Sequence, residues 1–465
     1  MRNKIFSLAL AVLLLGGCTM IPRYNRPEAP VPAALPAGTS GAAEATAATT
    51  AVDLSWQKFF TDPGLRAAIE LALANNRDLR IAALNVEKMQ ALYRIQRASL
   101  YPGVAAAAGA DNYRVPRQMS STGNAYIVEQ WSVMGTASWE IDLFGRLRSL
   151  KAKALNQFLA TVEARKAARI SLVAAVADGY LMLAADRESL DLAQATLEAQ
   201  KASYEMILKS RDAGISSDLT LRQAQSQVEA ARVDVARYTG LVATDTNALN
   251  LLAGKPIPAD LLPGGLNTVP ELEDISAGLS SGILLGRPDI LAAEYQLKGA
   301  NANIGAARAA FFPSVSLTAA AGTLAPELSN LFQSGTGYWN YAPQIVQPIF
   351  AGGSLVANLR AAKVDRDIAV AQYEKAIQTD FREVSDALVR RQALVNQLDA
   401  QQSLAQALDE SYRLSDARYK EGIDNYLGVL VAQRSLYDAQ RGLVSTRLAR
   451  RSNQVALFKV LGGGL

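Results

Sequence analysis

The sequence predicts a mixed, mainly helical fold of long antiparallel helical hairpins with four strands per chain, duplicated within one polypeptide. Three observations predict it. The 465 residues are half apolar yet only 7% aromatic, and alanine is abundant; that mixture suits close-packed helices better than a thick globular core. Landmark residues recur in the same order at an offset of about 210 residues, far beyond solenoid periods. Proline is missing between Pro116 and Pro256 and again after Pro348. Proline in a helix interior costs about 3 kcal/mol, so runs of this length without it are what very long helices require.

The elements follow in order. Arg2 and Lys4 precede an apolar run from Ile5 to Leu15, about eleven residues and too short to span a bilayer. Leu15-Gly16-Gly17-Cys18 then resembles a bacterial lipobox. On that reading residues 1–17 are a signal peptide, and Cys18 becomes the first residue, carrying a diacylglycerol and an N-acyl chain. Several acyl chains hold a protein firmly where one gives marginal binding. Thr19 and Met20 follow, without an aspartate that would suggest retention at the inner membrane, so the outer membrane is implied. An ordinary signal peptide with a chance cysteine is the competing reading. Residues 18–53 are rich in Pro, Ala and Thr and read as an extended, lipid-anchored tether.

Two structural repeats follow, 54–255 and 287–465, with a linker or equatorial region at 256–286. Arg97-Ala98-Ser99-Leu100-Tyr101-Pro102 matches Arg308-Ala309-Ala310-Phe311-Phe312-Pro313. Phe144-Gly145 matches Phe350-Ala351-Gly352, Tyr204 with Gly214 matches Tyr412 with Gly422, and Leu219 with Gln225 matches Leu427 with Gln433. Each half thus reads helix, strand pair (101–143 and 313–350), long helix, glycine turn, helix. Helical spacing of apolar residues predicts the long helices over about 145–212 and 354–420. Glycine in the left-handed conformation ends each one, and Ser, Asp or Asn caps the helix that returns.

The strand from Gln130 to Leu143 alternates nearly without a break. Gln130, Ser132, Thr136, Ser138, Glu140 and Asp142 fall on one face; Trp131, Val133, Ala137, Trp139, Ile141 and Leu143 fall on the other. This fits a membrane barrel with an apolar outside and a polar lumen, although a soluble sandwich alternates similarly. Four strands cannot close a barrel, and lipid does not tolerate an open edge. Several copies must therefore share one barrel, and a trimer supplies twelve strands.

Composition excludes much else. With no histidine and one cysteine, zinc-type sites, Cys–His nucleophiles and an intrachain disulfide fall away. A net charge of only +4 leaves no footprint for nucleic acid. Glu140 and Asp142 could mimic a catalytic carboxylate pair, but lumen lining accounts for them better, and no enzyme is expected.

Nearly the whole chain is similar to the TolC-type outer-membrane factors, in the lipidated (OprM-like, or NodT) branch serving resistance-nodulation-division pumps. The residues that carry the resemblance include Leu15 to Cys18, Trp56 with Phe59-Phe60 and Asp62, and Asn75-Asn76-Arg77-Asp78-Leu79. Asp142-Leu143-Phe144-Gly145-Arg146, Gly286-Arg287-Pro288-Asp289, the run Ala300 to Arg308, Pro348-Ile349-Phe350 and Leu461-Gly462-Gly463 continue it. The resemblance implies a homotrimer with a twelve-stranded β-barrel in the outer membrane and a helical α-barrel in the periplasm. Its implied partners are a periplasmic adaptor (membrane fusion) protein and an inner-membrane pump that hands over drugs or other small solutes. It implies a passive conduit gated at the periplasmic tips, with Tyr419 as a gate tyrosine and Leu427 at an apolar constriction. Relatives often carry aspartate where this chain has Val431, which leaves Asp424 as the candidate acidic lining. The alternatives at the tip are that Asp424 caps a helix and Leu427 packs against its neighbour. Grooves near Leu197, Tyr204 and Leu408 are candidate adaptor contacts. A TolC-like duct for protein secretion is the alternative function; a periplasmic coiled-coil scaffold leaves the strand pairs unexplained.

Overall fold

The computed structural model describes residues 19–32, 55–272 and 281–463; the expected signal peptide and Cys18 lie outside the described residues. Helices α1 (Trp56–Phe59), α2 (Pro63–Asn75) and α3 (Arg77–Ala98) lead into strands β1 (Gly103–Val115) and β2 (Tyr126–Ile141). The hairpin of α4 (Arg146–Asp212) and α5 (Asp218–Ala253) completes the first half. The second half repeats the order with α6 (Pro288–Ala309), β3 (Ser314–Ala325), β4 (Gly337–Val346), α7 (Ser354–Lys420) and α8 (Tyr426–Val460). Helices α4 and α7 each run 67 residues, which at 1.5 Å per residue is about 100 Å. The described chain divides into two compact units, one of residues 19–28, 85–162 and 292–374, the other of the remaining described residues.

The first unit holds the sheet, fully antiparallel in the order β1-β2-β3-β4. Gly322 is needed where β3 crosses Met134: a Cβ there overlaps the Val133 carbonyl. The alternation read from Gln130 to Leu143 differs from the fold at both ends. Strand β2 begins earlier, at Tyr126, and stops at Ile141. Asp142 leaves the sheet to accept the N–H groups of Leu147 (3.1 Å) and Arg148 (2.8 Å) in the first turn of α4. A helix start leaves such donors without intrahelical partners. Glu140 holds Arg146 through both its carboxylate oxygens, at 2.6–3.0 Å. Asp142 thus fastens a helix start, which corrects its reading as lumen lining, whereas Glu140 stays on β2 opposite Ser316.

Helix α6 carries small residues where other segments approach. A Cβ at Gly305 would lie 2.6 Å from Ile21 Cγ1 and 2.7 Å from Ser149 Oγ. Residues 20–26, expected as part of the extended, lipid-anchored tether, are strapped along this helix. Arg308 donates to the Met20 carbonyl, Asn301 to the Pro22 carbonyl at 2.8 Å, and Glu294 accepts from Tyr24 and from Arg26 at 2.6 Å. Burial and the Glu294 carboxylate together raise the Tyr24 phenol well above its ordinary value.

The second unit has its core around α4. From Leu172 to Ala185 this helix is apolar and largely buried, so its one membrane-like window is core. Trp56, Phe59 and Phe60 are buried, and Phe59 stacks on Phe458 with centroids 4.6 Å apart. Asp62 caps α2 by accepting the Leu65 N–H at 2.7 Å and also accepts the Tyr180 hydroxyl at 3.1 Å. Asn76 accepts from the Leu79 N–H and donates to the Leu252 carbonyl. Buried Arg287 gathers Asp289 at 2.6 Å and Asp380 at 3.0 Å, and donates to the Val460 carbonyl at 2.6 Å.

Candidate functional sites: a two-faced sheet and the hairpin tips

Register decides the faces of the sheet, because cross-strand partners share a face. One face carries Trp139 opposite Leu317, which opposes Pro343. Ala137, Ala319 and Tyr341 form the next row on that face, then Gly135, Ala321 and Trp339, then Val133 and Thr323. The other face carries Ser138 between Gly103 and Thr318, Thr136 between Ala105 and Ala320, and Ser132 between Gly109 and Leu324. Farther along come Gln130 beside Asp111 and, at the opposite end, Ser316 beside Gln344. From Trp131 to Trp139 the apolar face runs about 26 Å along the strand at 3.3 Å per residue, close to the apolar band of a membrane barrel. Beyond Trp131 the same face turns polar, with Glu129 and, on β1, Arg114 and Asn112. Strand β4 is exposed throughout, and β1 nearly so. Each is an edge strand whose outer row of N–H and C=O groups is unpaired by the described chain.

In the second unit the two hairpin tips are built alike. Ile215 N–H reaches back to the Ser210 carbonyl and Ile423 N–H to the Arg418 carbonyl, each at 2.9 Å, across Gly214 and Gly422, both at φ 72°. The left-handed turn suits glycine and satisfies carbonyls that the helix ends leave open. Side chains then diverge. In the first tip Ser217 caps α5, accepting the Thr220 N–H at 3.2 Å. In the second, Asn425 occupies the cap position without a side-chain bond. Asp424 faces back across the turn, accepting Arg418 Nε at 2.5 Å and Nη2 at 3.2 Å. Arg418 holds the Asp424 carboxyl below its ordinary range. The helix-cap alternative for Asp424 is thereby set aside.

Tyr419 packs on a cluster that joins the two tips, containing Ile207, Leu221, Ala224, Tyr426, Val429 and Leu430, and its ring lies 5.3 Å from that of Tyr426. Leu427 stays 53% exposed and Val431 50%. Together with Leu408 and three serines they line an open groove of about 490 Å³. Leu427 thus faces this groove, aligned with Val431 one turn on. The structure brings Tyr419, Asp424 and Leu427 to one tip, while Cys18 lies outside the described residues. Sequence reading missed Arg418 as Asp424's partner; the only available signal was an Arg six residues before an Asp across a glycine turn.

Comparison with known proteins places this geometry. The model of the outer membrane efflux protein family matches residues 68–255 and 279–463. The chain is 47% identical over 465 residues to the toluene efflux pump outer membrane protein TtgC of Pseudomonas putida, covering 100% of this chain and 96% of that one. The antibiotic efflux pump outer membrane protein ArpC of Pseudomonas putida gives the same identity and coverage. Among solved structures, the open state of the Neisseria gonorrhoeae MtrE outer membrane channel is similar with a TM-score of 0.86 and 40% identity, over 96% of this chain and 99% of that one. With a match across both repeats and full-length relatives at this identity, the chain belongs to the outer membrane efflux protein family.

Proposed function

We propose that three copies of this chain form the outer-membrane channel of a tripartite efflux pump, each giving four strands to one twelve-stranded barrel. The observation that carries the reading is the two-faced sheet with both edges unpaired. In lipid such edges must meet partners, and the next copy's opposite edge is the partner that cyclic symmetry supplies. The apolar face then meets lipid, and the Ser, Thr and Gln face lines water. The conduit is passive; an inner-membrane resistance-nodulation-division pump delivers substrate through a periplasmic adaptor. The relatives named for toluene and antibiotic efflux support small, mainly apolar molecules as cargo.

Gating belongs to the second tip. Leu427 supplies an apolar constriction, Tyr419 braces it, and the Arg418–Asp424 pair holds the turn closed until adaptor contacts shift the tips to a second packed arrangement. Cys18 anchors the mature chain by its acyl chains: the strap that begins at Thr19 meets α6 at Arg308, six residues before β3. Detergent-purified protein should scatter light as three chains and give small single-channel conductance in a planar bilayer, enlarged by Leu427→Ser. A monomer that conducts nothing, even with that substitution, would overturn the channel reading. Radioactive palmitate should label the wild type and not Cys18→Ala; equal labelling removes the anchor.

A further inference from the structure

The second unit contains a cavity of about 460 Å³ between the segment 266–271, helix α7 and helix α8. One wall is apolar, formed by Leu266, Val269 and Leu398; Gln402 adds an amide. The α8 wall presents Arg447, Arg450 and Arg451, spaced so that all three share a helix face. Their carboxylate partners are unequal. Arg447 lies 3.4 Å from Glu188, whose other oxygen is taken by the Asn267 N–H at 2.9 Å. Among the described residues, Arg450 reaches only the largely exposed Glu271, at 3.6 Å. Arg451 has no carboxylate within 4.0 Å, and its buried Nη1 has no hydrogen-bond partner, among the described residues. Burial, with the Arg447 and Arg450 guanidiniums, lowers its pKa, against the opposing pull of the more distant Glu271 and Glu188 carboxylates.

Arg451 is only partly buried, but a buried guanidinium nitrogen without a partner still costs free energy for its lost hydration. Guanidinium groups answer that need best with a planar oxyanion held bidentately. The volume exceeds what one inorganic ion fills and lies within the range of small-molecule sites. We propose that this cavity binds a small organic oxyanion, a carboxylate or a phosphate monoester, with Arg451 as its principal ligand and the Leu266–Leu398 wall against its apolar body. The site is independent of the channel reading and survives or fails separately.

The test is calorimetric titration of the full-length protein in detergent at low ionic strength, with succinate in one arm and methyl phosphate in the other. Sodium chloride at matched ionic strength is the control. Saturable binding of at least one probe at one site per chain is expected, and the tighter arm assigns the class. Arg451→Gln should weaken binding by about tenfold or more, the size of one charged hydrogen bond. Arg450→Gln gives a second reading should that variant fold poorly by circular dichroism. Glu273 and Asp274 follow Leu272 in the sequence and lie outside the described residues. Binding that appears only in Glu273→Gln/Asp274→Asn would mean the chain fills its own cavity and would overturn the proposal. No binding in either protein, or binding unchanged by both arginine substitutions, would overturn it equally.

Discussion

Three carboxylates crowd one buried guanidinium at Arg287, and their imbalance makes stability depend on pH. Burial dominates at Asp380; Arg287 opposes it, Asp289 and Glu383 add to it, and the carboxyl is pushed up to about 7. A carboxyl whose folded pKa lies above its unfolded value stabilises the fold below about pH 4, and that contribution is lost as pH rises through about 7. The thermal midpoint should therefore be higher at pH 5 than at pH 8, and Asp380→Asn should flatten the difference. Arg287→Ala leaves buried acids without their cation and should cost about 3–5 kcal/mol in denaturant unfolding. The Arg418–Asp424 pair behaves oppositely. Its carboxyl is lowered, so the pair persists above the ordinary aspartate range and breaks only as pH falls through its depressed value. Being exposed, it should matter little to stability. Arg418→Ala should leave the unfolding midpoint within error yet raise the conductance of the single channel. The sequence left Asp424 between cap and lining because either role suits an aspartate beside a turn. Its partner emerges only once Gly422 takes φ 72° and folds residue 424 back over 418.

At the scale of elements, the long helices were legible almost to the residue, since proline gaps and glycine turns bound them physically. Expected ranges of about 145–212 and 354–420 compare with Arg146–Asp212 and Ser354–Lys420. The end of β2 was not legible: Asp142 continues the period-2 pattern, and nothing in that pattern distinguishes a strand position from a helix cap. The strap was equally hidden, because Tyr24 and Arg26 sit in a Pro-rich stretch and meet a glutamate some 268 to 270 positions away. The faces of the sheet make a paired prediction. Ala321 lies on the apolar face and Ala320 on the polar one. Arginine at 321 should cost about 2–4 kcal/mol near the bilayer midplane and depress the yield of assembled barrel. Arginine at 320 should assemble normally and shift ion selectivity toward anions in a planar bilayer. Gly322→Val should fail earlier, as loss of heat-resistant oligomer on gels, since its side chain overlaps the β2 backbone.

For the whole molecule, strand counting was the decisive sequence argument, because four strands with two open edges leave a chain incomplete in lipid. Apolar surface adds to that incompleteness: Ile349 and Phe350, just past β4, are 96% and 91% exposed. Such a pair, next to a free edge, is expected to be covered by another copy. Ile349→Asp/Phe350→Asp should shift detergent-solubilised protein toward monomer by light scattering, whereas covering by the chain itself would leave the mass unchanged. The strap has a consequence for timing. Its docking surface, Glu294 to Arg308, emerges from the ribosome more than 260 residues after Arg26, so the N-terminal stretch cannot dock there during most of synthesis. Docking onto α6 can therefore proceed once Arg308 has emerged, before the second strand pair and the second helical hairpin have been made.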